Sequence, residues 1–90
     1  MKKEDPANKT KIVILVDKQV SKYMKSNTNY YGLISEKVKG KDVEMTFLTA
    51  DVKDGFARWF LMFSDYATIL EPQSLKHRVK EIITEAASRL

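Results

Sequence analysis

The chain has 90 residues, with 16 Lys and Arg against 12 Asp and Glu and a formal net charge of +4. A chain this long forms one small domain that buries about two thirds of its unfolded surface, which leaves little room for a large enclosed active site. A hydrophobic share of 43% with 31% charged residues excludes disorder, the lack of cysteine excludes a disulfide framework and a thiolate metal site, and no apolar run approaches the ~20 residues of a membrane span.

Lack of cysteine fits a reducing compartment, so a cytoplasmic protein with no membrane contact is expected. The basic balance, with a pI of about 9.3, permits a phosphate-bearing partner. Met1 to Asn8, MKKEDPAN, is charged, holds Pro6 and shows no periodicity, so residues 1–8 read as a linker and 9–90 as the domain.

From Lys9, KTKIVILV reads as a strand with Ile12, Ile14 and Val16 on one face and Val13 and Leu15 on the other. Two apolar faces predict a central strand whose second face meets something. Asp17 is placed to cap a short helix in which Val20, Tyr23 and Met24 repeat on one side and Lys18, Lys22 and Lys25 face out. That helix is expected to end at Ser26-Asn27.

Tyr30 to Val38 and Val43 to Thr49 flank KGKD and predict a β-hairpin, with Val43, Met45 and Phe47 on its apolar face. Tyr30 and Tyr31, adjacent in a strand, point to opposite faces, so at most one of them joins the core. Lys37, Lys39 and Lys41 form the one tight basic cluster; a solvated hairpin tip is its plain reading and a nucleic-acid contact its functional one.

Next, Asp51 with Asp54 three residues on resembles a capping box, and Val52, Phe56, Trp59, Phe60 and Phe63 form the core stripe of an amphipathic helix ending at Ser64-Asp65. Leu61 and Met62 fall off that stripe and predict a second covered surface. Tyr66 to Leu70 makes a short strand closed by Pro72. Leu75, Val79, Ile82, Ile83, Ala86 and Leu90 follow at helical spacing, with Ser74 as the expected N-cap. The order βαββαβα predicts an α+β ferredoxin-like βαββαβ sandwich with an additional C-terminal helix.

Residues that could carry catalysis are few. His77, the only histidine, sits between Lys76 and Arg78 on the charged side of the last helix, where a surface role is the plain reading. The three glycines are too scattered for a phosphate loop, and the carboxylates lack metal-ligand spacing. No enzymatic activity, cofactor or metal is expected. The aromatic stripe reads as core because a base-stacking platform would have to project from the outer sheet face.

The run Arg58 to Phe63, then Ile69-Leu70-Glu71-Pro72, then Leu75, Val79 and Ile82, resembles the ending of bacterial WYL-domain transcriptional regulators, in the C-terminal extension that follows their WYL domain. The likeness takes in KIVILVDKQVSKYM and VEMTFLTAD and covers about residues 11 to 87; Ser64 stands where the family usually has glycine. The resemblance implies a ferredoxin-like module of a DNA-binding regulator that helps build a homodimer and an effector-sensing half. Its partners would be upstream WYL and winged-helix domains, DNA through the latter, and a nucleic-acid or small-molecule effector. Neither upstream domain lies within these residues, so the chain is expected to be a fragment of a larger protein.

Arg58, next to the family's tryptophan, is the residue carried over as an effector contact, although an ion pair with Asp54 on the same helix explains it equally well. Val13, Leu15, Leu61 and Met62 are the expected interface residues. The alternative is a freestanding ferredoxin-like nucleic-acid binder that uses Lys37, Lys39, Lys41 and Tyr31.

Overall fold

The structure is a computed structural model that describes residues 9–24 and 31–90. The 1–8 linker, Lys25, the helix end at Ser26-Asn27 and Tyr30 lie outside the described residues. The elements are β1 (Thr10–Asp17), α1 (Lys18–Met24), β2 (Leu33–Lys39), β3 (Asp42–Thr49), α2 (Ala57–Leu61), β4 (Ala67–Glu71) and α3 (Gln73–Ser88), with a π-turn at Val52–Phe56 leading into α2. The four strands form one antiparallel sheet in the order β2-β3-β1-β4.

The doubly apolar β1 is a central strand, as its sequence predicts. Ile12, Ile14 and Val16 join Val43, Met45, Phe47 and Ile69 on one sheet face, where Met24, Val52, Phe56, Trp59, Phe60, Leu75 and Val79 cover them. All the helices thus lie on one side of the sheet and share one core. Gly40 and Lys41 make the hairpin turn, and a positive φ at Gly40 alone, 66°, gives it type II′ character, which matches the twist of the flanking strands. Among the described residues the other positive φ belongs to Gly32, 70°, where the chain enters β2; a Cβ there would overlap the Leu48 carbonyl oxygen.

Each outer strand carries one extra residue in its pairing, Ile34 in β2 and Leu70 in β4. Such β-bulges bend the strand and turn the extra side chain outward, and both residues are exposed.

Several local expectations need correction. Asp17 does cap α1, accepting from the Gln19 amide at 2.9 Å, but Tyr23 is exposed and Ser21 is buried in its place. At 100° per residue Val20, Ser21 and Met24 span a 100° arc, the same width as Val20, Tyr23 and Met24, so spacing does not choose between Ser21 and Tyr23 and the packing does. The expected box of Asp51 with Asp54 is absent. The Asp51 carboxylate accepts instead from the Gly55 amide at 2.9 Å, because the first turn is a π-turn closed by Phe56 N–H to the Asp51 carbonyl at 2.9 Å.

Gly55 makes this cap feasible, since a Cβ would press on the Asp51 carboxylate. Helix α2 then stops at Leu61 and tightens into i to i+3 turns through Phe63 and Ser64. Ser74 is no cap. Pro72, extended and without an N–H, precedes the first turn of α3, and its carbonyl accepts from the Leu75 amide at 3.1 Å.

Candidate functional site

The sequence-predicted residues fall into three separate groups. The sheet face opposite the helices carries the first. The register aligns Ser35, Thr46, Val13 and Glu71 in one row and Lys37, Glu44, Leu15 and Thr68 in the next. Val13 is only 5% exposed even on this helix-free face, whereas Leu15 is half-buried.

Lys37 faces Glu44 across the strands, and the Lys39 ammonium lies 3.0 Å from the Glu44 carboxylate. Two cations of the basic cluster therefore sit beside an anion. Lys41 sits in the turn, and its carbonyl accepts from the Lys18 amide at 2.9 Å, which ties the hairpin tip to the start of α1.

The second group belongs to the core layer. Tyr31 stacks on Trp59 with ring centroids 5.0 Å apart and meets the edge of Phe56 at 5.6 Å, so it serves the aromatic cluster rather than an exposed contact. Phe47, Phe56 and Phe63 present edges to Trp59 at 5.4 to 5.9 Å. Trp59 is 8% exposed, and its buried Nε1–H finds no acceptor. Of the two off-stripe residues, Leu61 is half-buried against the core while Met62 is 68% exposed. Val13 and Leu15 thus lie on one side of the sheet and Leu61 and Met62 on the other; they do not form one surface.

The third group lines an open groove of about 890 Å³ beside α3, where Arg58 of α2 approaches Arg78, Ile82, Glu85 and Arg89. Arg58 pairs with Asp54 at 3.9 Å, the ion pair its spacing predicts. Arg78 was not singled out in the sequence, yet it organises this region. Its Nε–H donates to the Lys53 carbonyl at 2.9 Å, and its other nitrogens lie 3.5 Å from Asp54 and 3.4 Å from Glu81. The signal was weak because its main acceptor is a backbone carbonyl 25 residues away in sequence. His77 stays at the surface, 3.8 Å from Glu81.

Past Ile82, which still packs on the core, α3 continues. Ile82 is partly covered, Ile83 is 46% exposed, and Ala86, Ala87 and Leu90 are exposed. The apolar stripe that enters the core through Leu75 and Val79 thus runs on along an uncovered helix. Among the described residues no helix is long and apolar enough to cross a membrane.

An α+β domain with helices on one side of an antiparallel sheet, apolar residues on the other, and a projecting last helix is the class this geometry defines. Residues 8–87 match the family model of the WCX domain, and the chain belongs to that family, the C-terminal extension of WYL-domain regulators. No curated protein and no solved structure matches the chain.

Proposed function

We propose that the chain is the C-terminal regulatory and dimerisation module of a DNA-binding transcriptional regulator. It packs on the WYL and winged-helix domains of the same protein and contributes to effector sensing. The observation that carries this reading is the WCX match across residues 8–87, nearly the whole domain. The uncovered apolar residues Met62 and Ile83, and the half-buried Leu15 on the helix-free sheet face, supply surface for packing, whereas Val13 is already buried.

The strand order, read from the opposite edge as β4-β1-β3-β2, supports a ferredoxin-like assignment with α3 as the additional helix. The module works by binding rather than by catalysis. The test is the complete reading frame that encodes the chain. It should specify a winged helix and a WYL domain ahead of this segment, and Leu15→Lys in the whole regulator should weaken dimerisation or the effector response while leaving the melting profile cooperative. A frame without either upstream domain would overturn the proposal.

A further inference from the structure

We infer that the Val52–Phe56 turn is a two-register latch. Asp51 and Arg78 hold it in the π register, and loss of either side-chain bond lets it tighten into an α turn, so the seat of Arg78 on α3 governs how the chain enters α2. The device belongs to the folded domain itself and does not depend on the packing-module reading.

The backbone partners carry it. In an α register each N–H bonds the carbonyl four residues back, so Gly55, Phe56 and Ala57 would donate to Asp51, Val52 and Lys53 in turn. Here the Asp51 and Val52 carbonyls are each taken by the donor one residue later. The Phe56 N–H donates to the Asp51 carbonyl at 2.9 Å, and the Ala57 N–H to the carbonyls of Val52 and Asp54. Such a slip strands one donor of the α pattern, the Gly55 N–H, and one acceptor, the Lys53 carbonyl.

Side chains take up these two groups. The Asp51 carboxylate accepts from the Gly55 N–H at 2.9 Å, and the Arg78 Nε–H donates to the Lys53 carbonyl at 2.9 Å. Take either side chain away and a backbone group is left without a partner that the α register supplies from within the turn.

The slip moves Val52. A π turn holds more residues than an α turn, so tightening it with Phe56 fixed in the core swings Val52 out of its buried place. Arg78 also lies 3.5 Å from Asp54 and 3.4 Å from Glu81, so one guanidinium spans the turn and α3. Beyond Ile82 the same helix projects from the core, and a displacement of that projecting half reaches the turn through Arg78.

Scalar couplings across hydrogen bonds, measured on the isotope-labelled 90-residue chain, identify the acceptor of each N–H directly. In the unaltered chain the coupling from Phe56 should run to the Asp51 carbonyl. Arg78→Ala and Asp51→Ala should each make the coupling from Phe56 to the Val52 carbonyl the larger one, with new couplings from Gly55 to the carbonyl of residue 51 and from Ala57 to that of Lys53. Gly55→Ala should do the same, because its Cβ would press on the Asp51 carboxylate and evict it. Asp51→Ala and Gly55→Ala leave α3 untouched, so damage to that helix cannot mimic the result. A π pattern kept in any of the three variants would overturn the latch. Loss of the Phe56 coupling with no new acceptor would overturn it too, since the turn would then be fraying rather than changing register.

Discussion

Trp59 stands at the centre of the aromatic cluster, because four aromatic rings close on it and its indole is almost wholly buried. Truncation to alanine should cost about 3–5 kcal/mol and abolish a cooperative thermal transition. Trp59→Phe should cost well under half of that, since the lost N–H has no acceptor to leave stranded. Urea titrations of both variants check the order, and equal losses would contradict it.

The glycines allow a similar comparison. Gly32→Ala faces both a left-handed backbone and the Leu48 carbonyl and should cost more than about 2 kcal/mol, while Gly40→Ala, with open space around it, should cost only the backbone penalty of about 1 kcal/mol. Equal denaturation midpoints for the two would count against this account. At this scale the sequence was legible wherever burial follows from spacing, as for Ile12, Ile14, Phe47 and Trp59. It was illegible where one carbonyl or one ring decides, as for Arg78 and Tyr31.

Among the elements, the order of strands and helices was readable, because β1 is a β-branched apolar run, β3 alternates after a Gly-containing turn and α3 repeats at helical spacing. The π-turn was not, since Val52 and Phe56 satisfy α and π spacing alike and the backbone bond from Phe56 N–H to the Asp51 carbonyl is what separates the two. Arg78 holds that turn against α3. Arg78→Ala should lower stability by about 1–2 kcal/mol and speed amide exchange selectively in Val52–Phe56. Lysine should not rescue it, because an ammonium cannot reproduce the forked donation to a carbonyl and two carboxylates. Uniform exchange across the domain would argue against the tether.

For the whole molecule, the candidate surfaces were legible as residues but not as a set. Val13 and Leu15 share one side of the sheet with Lys37 and Lys39, whereas Met62 and Arg58 lie on the helical side, and nothing in one-dimensional spacing reports that separation. The pairing of Lys37 and Lys39 with Glu44 also argues for weak electrostatic attraction to nucleic acid. Fluorescence anisotropy with a single-stranded oligonucleotide at physiological salt should give a dissociation constant no tighter than about 10⁻⁴ M. Micromolar binding abolished by Lys37→Ala with Lys39→Ala would reverse that judgement.

The bulges at Ile34 and Leu70 have a last consequence. Both margins of the sheet are interrupted, one in a strand that carries Lys37 and Lys39 and the other just before Pro72. Neither margin offers a long flat template on which a foreign strand could zip up. Edge-to-edge pairing with a foreign strand is therefore disfavoured at both margins, which lowers the cost of displaying apolar side chains at high concentration.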